Sequence, residues 1–233
     1  DPRQFATEYI GLPDTYLIDD SGLLPPAAQP ETIEIRRGPN IKPLPTRGDL
    51  ESTVSGGVLL KLGDNISTDH ILPAGPTVLP LRSNVPAIAE YLFRYVDPTF
   101  VERTKAKGGG FVVASQNYGQ GSSREHAAMC PMYMGVKAIL AKSFARIHRD
   151  NLVNYAVLPL AFVNEADYDA LDPEDELEIR DLRERLEDGA TRIPVYNRTK
   201  QTTLETSLEL TARQRQIVLS GGLLRYVGKE TGV

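Results

Sequence analysis

The sequence predicts an α/β domain entered through an extended arm. Three observations carry that reading. From Ser55 onward, short apolar runs rich in Val, Ile and Leu alternate with stretches of helical character. Beyond Glu176 the runs change to strict apolar/polar alternation, the pattern of antiparallel strands with one wet face. Before about residue 52, eight prolines from Pro2 to Pro45 interrupt every candidate helix or strand.

Residues 1–52 therefore read as a proline-rich arm or interdomain linker, and residues 53–233 as the folded domain. Apolar pieces in the arm, Tyr16-Leu17-Ile18 and Ile33-Glu34-Ile35, could dock on a surface; full disorder is the competing reading for the first fifteen residues. Gly57–Leu62 is a strand candidate, followed by the polar cluster Gly63–His70. A helix is expected from Ile88 to Tyr95, and a buried strand at Phe111–Ala114. Val136–Ala141 reads as a strand, Phe144–Tyr155 as a helix, and Val157–Phe162 as a further apolar run. Glu176–Ile179, Arg192–Tyr196 and Thr202–Leu210 make the antiparallel set. Thr211 is placed to cap a last helix that Gly221-Gly222 would end.

Composition bounds the function. The chain has 233 residues, 41% hydrophobic and 24% charged, as in a soluble globular protein. No apolar run is long enough to span a bilayer, so no membrane partner is expected. The net charge of −5 gives no global attraction to nucleic acid. A single cysteine, Cys130, excludes an internal disulfide and an iron–sulfur cluster held by this chain's thiolates alone. The start at Asp1 rather than Met suggests a processed product or an excised piece.

The stretch from Gly108 to Pro131 is where chemistry concentrates. A buried strand runs into a glycine-punctuated turn with Gly119 and Gly121, then Ser122-Ser123-Arg124-Glu125, then a helix opening at His126. Ser122 and Glu125 have capping-box spacing. A strand–turn–helix start leaves free N–H groups and a partial positive charge, a ready anion site, and Arg124 adds a fork suited to a carboxylate. A simple helix cap with a solvated arginine accounts for the same residues. The phosphate loop is excluded because no Gly-Lys-Ser/Thr follows, and the dinucleotide fingerprint because Arg124 replaces its third glycine. The Gly63–His70 cluster is either Asx-turn chemistry or a second loop meeting the first at the strand ends. His70, His126 and His148 have no i, i+4 partners, so no metal site is expected. A Ser-His-Asp hydrolase lacks its nucleophile elbow. Lys142, Arg146 and Arg149 form a basic strip or a solvated helix face.

GDNISTDHILPAG at Gly63–Gly75 and NYGQGSSREHAA at Asn117–Ala128 together resemble the signatures of the aconitase family's C-terminal swivel domain. KSFARIHRDNLVNYAVLPL, Lys142–Leu160, and the terminal GGLLRYV are similar to family segments as well. The resemblance covers roughly Ser55 to the end. Small subunits of isopropylmalate isomerase share the Gly-Ser-Ser-Arg loop, but Ser67-Thr68-Asp69-His70 is closer to aconitase. The resemblance implies a swivelling three-layer β/β/α domain with a mainly parallel core sheet and a smaller antiparallel region. It implies Ser122 as the catalytic base, with Ser123, Arg124, Arg82 and Asp69 binding substrate and His70 and Gly121 in support. The family's arginine spacing falls on Leu81, and Arg82 stands one residue later. The reaction implied is citrate/isocitrate interconversion through cis-aconitate in the tricarboxylic acid cycle, in a bacterial cytoplasm or an organelle matrix. The [4Fe–4S] cluster would sit in preceding domains, so this chain would bind no metal and be inactive alone. Alternatives are a homoaconitase, a methylaconitase, an isopropylmalate isomerase small subunit, or an RNA-binding role of a cluster-free form.

Overall fold

The computed structural model describes Asp1, Gln4 and residues 11–232. Contacts divide the chain into two compact units, Asp1–Arg37 and Gly38–Val233. Much of the expectation for the first fifteen residues falls on residues 2–3 and 5–10, outside the described set. The described part of the first unit is largely irregular, with one short 3-10 turn at Pro30–Thr32. Its apolar residues, Leu17 and Leu24 among them, are exposed.

The second unit starts at Gly38, so the segment from Gly38 to Ser52, read from sequence as arm, packs as part of the domain. Arg47 donates to the carbonyls of Val136 and Ala156 at 2.6 and 2.9 Å. Burial pushes this guanidinium down to about 10. Leu50 is buried and its N–H donates to the Leu219 carbonyl. Nearer its start, the Lys42 N–H donates to the Ser83 carbonyl at 2.9 Å.

Seven strands form one mixed sheet: β1 Val54–Leu62, β2 Gly110–Ala114, β3 Val136–Ala141, β4 Leu158–Phe162, β5 Glu176–Ile179, β6 Arg192–Asn197 and β7 Thr202–Ser207. β1 through β4 run parallel, neighbour to neighbour, and β5 to β7 pair antiparallel. The two sets join at both ends, β1 to β5 and β4 to β7, so the sheet closes on itself in the order β1-β2-β3-β4-β7-β6-β5. The parallel core and the antiparallel region expected from sequence are thus arcs of one barrel.

Alternation along the strands explains why the parallel ones read as unbroken apolar runs. Phe111 and Val113 of β2 join Ala138, Leu140, Leu158, Ile193 and Val195 in one core. Val112, Ala114 and Ile139 face the other way and pack with Ile71, Leu92 and Phe100. Both faces are buried, so β2 is apolar at every position.

Helices cover the outside: α1 Thr68–Ile71, α2 Val85–Ala89, α3 Phe100–Lys107, α4 His126–Tyr133, α5 Arg146–Asn154, α6 Asp167–Ala170, α7 Leu182–Glu187, α8 Ala212–Leu219 and α9 Leu223–Thr231. Thr211 caps α8 in a capping box with Gln214. Gly221 and Gly222 separate α8 from α9. The helix expected at Ile88–Tyr95 is instead the shorter α2 followed by turns, with Phe93 at positive φ inside the apolar core.

Candidate active site

Two loops leave the C-terminal ends of β1 and β2 and are laced together. Asn65 N–H donates to the Gln116 carbonyl at 2.7 Å, Thr68 N–H to the Gln120 carbonyl at 2.9 Å, and Gly119 N–H back to Ile66 at 2.6 Å. Asn117 adds side-chain bonds to Asn65 and Gln120. Asp64 accepts from the Gln116 N–H; hydrogen bonding from Ser115 and Gln116 holds its carboxyl below the usual range. A third loop, after β3, joins through Ser143, whose carbonyl accepts from Tyr118 and whose hydroxyl bonds Gln116. The two polar clusters therefore meet at one end of the parallel strands, where open α/β sheets usually hold ligands.

Gly119 shows why that turn needs glycine. Its φ is +85°, and a Cβ there would stand 2.1 Å from Cδ2 of the His148 ring. His148, from α5, is buried and lies beside the Tyr118 ring, centroids 5.4 Å apart. Burial pushes the imidazole down to about 4, so it is neutral over the physiological range. Two of the three residues of the basic strip read from this region turn to other partners. Lys142 lies over the Tyr168 ring, while Arg149 turns to the Glu209 carbonyl.

The predicted capping box is absent. α4 begins at His126, Glu125 occupies the N-cap position, and no side chain caps it. Ser122 instead closes a tight turn in which its carbonyl accepts the Arg124 N–H at 2.9 Å. The reason lies in Arg124, whose Nη1 donates to Asp69 Oδ1 at 2.6 Å and to the Leu72 carbonyl at 3.3 Å. That commitment draws Arg124 toward α1 and out of the helix. Ser122 and Ser123 are left exposed, with hydroxyls free of a capping duty. Among the described residues, Nε and Nη2 of Arg124 have no protein acceptor, so two donors of its fork remain for a ligand. The hydrogen bond from Arg124 holds the Asp69 carboxyl below its usual range, against the opposing effect of desolvation.

Asp69 and His70 lie in α1, one turn of helix capped by Ser67. The Ser67 N–H donates to Nδ1 of His70 at 3.1 Å, so a neutral His70 carries its proton on the exposed Nε2. Arg82 ends the one-turn 3-10 helix Leu79–Leu81. It is exposed, and with Ile41, Leu79 and Ser83 it lines a groove of about 510 Å³. Among the described residues, no side-chain hydrogen bond or ion pair joins it to Arg124 or Asp69. Its carbonyl, however, accepts Nε2 of His126 at 2.8 Å. His126 and His148 were missed as site residues because an isolated histidine has no spacing to read. A second cavity, about 530 Å³, lies at the opposite ends of the strands beside Arg47 and Lys137, remote from these groups.

No three His, Cys, Asp or Glu side chains converge on a possible metal position among the described residues. Cys130 is fully buried in α4, and burial pushes its thiol up to about 12, the opposite of what a thiolate ligand needs. The residues present do not fit an iron–sulfur cluster.

The model of the aconitase C-terminal domain matches residues 96–165. Over 169 residues the chain is 41% identical to 3-isopropylmalate dehydratase small subunit 2 of Archaeoglobus fulgidus, covering 72% of this chain and 92% of that protein. The chain belongs to the aconitase C-terminal domain family. Some relatives are much longer. The chain is 35% identical over 182 residues to a probable mitochondrial aconitate hydratase of Caenorhabditis elegans, and spans only 23% of it. The fold matches the crystal structure of 3-isopropylmalate dehydratase from Methanocaldococcus jannaschii with a TM-score of 0.63 and 30% identity, over 77% of this chain and 95% of that one.

Proposed function

We propose that this chain supplies the base and the carboxylate-binding residues of a hydro-lyase that shifts a hydroxyl between adjacent carbons of a hydroxy-di- or tricarboxylate. One observation carries the reading: an exposed serine, two residues from an arginine that Asp69 and Leu72 fix at one edge, leaving the other edge open. Arg124 binds the substrate carboxylate through Nε and Nη2. Ser122, as its alkoxide, takes the proton from the carbon beside that carboxylate. The C–H electrons form the double bond, the hydroxyl on the next carbon leaves as hydroxide and becomes water with the serine proton, and water adds back in the reverse sense at the other carbon. A serine is a weak base, so it needs the positive field of Arg124 and the uncapped start of α4. The same field stabilises charge developing on the carboxylate. Asp69 orients Arg124, Ser123 and Arg82 bind further oxygens, and His70 with Gly121 shapes the loop.

The [4Fe–4S] cluster that the resemblance implies finds no ligands here and belongs, in this proposal, to a partner domain or subunit, against which this domain swivels. Two substrate readings follow. A small-subunit role in isopropylmalate isomerisation is favoured by the match along nearly the whole of the Archaeoglobus protein. Aconitate hydration, in a bacterial cytoplasm or organelle matrix, is favoured by Ser67-Thr68-Asp69-His70. Homoaconitase and methylaconitase substrates are further variants of the same chemistry. An RNA-binding role draws no support from a net charge of −5.

The complete enzyme carrying this chain should be assayed on citrate and on 3-isopropylmalate; turnover of one alone selects between the readings, and turnover of neither rejects both. Ser122→Ala should lower kcat by orders of magnitude and leave KM within a few fold. Because Ser122 caps no helix, stability should change by less than about 0.5 kcal/mol. A near-normal kcat would remove Ser122 from the chemistry.

A further inference from the structure

His126 joins the backbone of Arg82 to the start of α4 by a hydrogen bond, and that bond has a fixed sense. A carbonyl oxygen only accepts, so Nε2 must carry the proton that meets the Arg82 carbonyl at 2.8 Å. Two residues earlier, Arg124 reaches Asp69 and the Leu72 carbonyl at the beginning of the same loop. The three-residue segment Arg124–His126 thus grips the loop at both ends, near Asp69 and at Arg82. Between the two grips the loop is closed mostly by its own turns, Leu79 to Gly75, Leu81 to Val78 and Arg82 to Leu79; just past the second, the Ser83 carbonyl accepts the Lys42 N–H and Asn84 bonds back to Leu81. Arg82 itself is exposed and has no side-chain partner among the described residues that would set its position.

We infer that His126 is a positioning residue: it holds the Arg82 backbone at a fixed distance from the serine loop, so that two cationic side chains span the substrate. The functional half of this inference rests on the reading of Arg82 as a carboxylate anchor. The tether half does not. A glutamine at position 126 retains an N–H donor on a side chain of similar reach, whereas alanine has none.

The test uses the complete enzyme and two readouts. In hydrogen exchange, His126→Ala should expose the amides of Arg82 and Asn84 at least several-fold faster, and His126→Gln should restore most of the protection. Unchanged protection in His126→Ala overturns the tether. In kinetics, His126→Ala should raise KM about tenfold with kcat within a few fold, and the Gln variant should recover part of that rise. Combined with Arg82→Ala, the alanine change should add no further rise in KM, because the two act through one group. An additive rise would overturn the inference that His126 acts through Arg82. If Arg82→Ala by itself leaves KM unchanged, the anchor reading fails, and the exchange result still decides the tether independently.

Discussion

At the scale of single residues, the candidate site depends on long-range contacts between side chains that each look ordinary in sequence. Ser122, Arg124 and Asp69 were legible because they sit in two polar runs with family spacing. That Arg124 and Asp69 touch was not, since their pairing spans the distance between two strands and a helix. It also reverses one local expectation: capping-box spacing at Ser122 and Glu125 loses to an ion pair that pulls the backbone away from helix. His148 shows the other limit. Nothing marks it in sequence as the wall behind Gly119, yet burial gives it a measurable signature. Its pKa falls from 6.5 unfolded to about 4 folded. Between those values the unfolded chain binds a proton that the folded chain refuses, so stability rises with pH across that window and is lost as pH falls. The loss attributable to this group is about 3 kcal/mol between pH 6.5 and 4. His148→Gln should flatten that part of the stability–pH curve, whatever it does to stability at pH 7. A slope equal to wild type, by urea unfolding at several pH values, would show that His148 protonates freely in the folded state.

At the scale of elements, the strands were the most readable part. β3 runs over Val136–Ala141, as its apolar run predicts: past Lys137, which donates to the Ser55 carbonyl at 2.7 Å, every residue is buried. The helices were harder. α3 and α7 are short and bury few side chains among charged residues, and α9 follows directly on the Gly221-Gly222 pair expected to end the last helix. Closure of the barrel was invisible, since β1–β5 and β4–β7 pair residues far apart in the chain. One close approach can be tested at the opposite end of the sheet from the site. Gly109, just before β2, has φ +101°, and a Cβ there would lie 2.2 Å from the Gly135 carbonyl oxygen, at the entrance to β3. Gly108, its neighbour, has φ +70° but open space around it. Gly109→Ala should therefore cost about 3 kcal/mol or more, and Gly108→Ala about 1 kcal/mol, in denaturant unfolding. Equal losses would mean that backbone conformation alone, and not the contact with Gly135, sets the requirement.

At the scale of the whole molecule, the second compact unit begins at Gly38, ahead of the boundary at residues 52 and 53 expected from sequence. The prolines that argued against regular structure say nothing about packing, and Arg47 and Leu50 pack without any helix or strand of their own. Trypsin offers a direct check. Arg36 and Arg37 precede the second unit, and the Arg36 side chain is 87% exposed. Lys42 is followed by proline, and Arg47 is half-buried with two carbonyl partners. Limited digestion should yield a resistant core beginning at Arg37 or Gly38. A first stable product beginning beyond Arg47 would show that the Gly38–Arg47 segment is only loosely held.

The hydrogen bond from Lys42 to Ser83 sets where a polypeptide enters this domain. Ile41 lines the same groove as Arg82, so the start of this compact unit lies beside that groove. A cluster-bearing domain joined covalently ahead of the arm would meet the serine loop at an effective concentration set by the length of that linker, at most about millimolar. The same domain supplied as a separate subunit would have to find its partner by diffusion. Gene fusion and gene splitting would then leave the chemistry alone and change a single quantity: activity of the split form would fall on dilution, and that of the fused form would not.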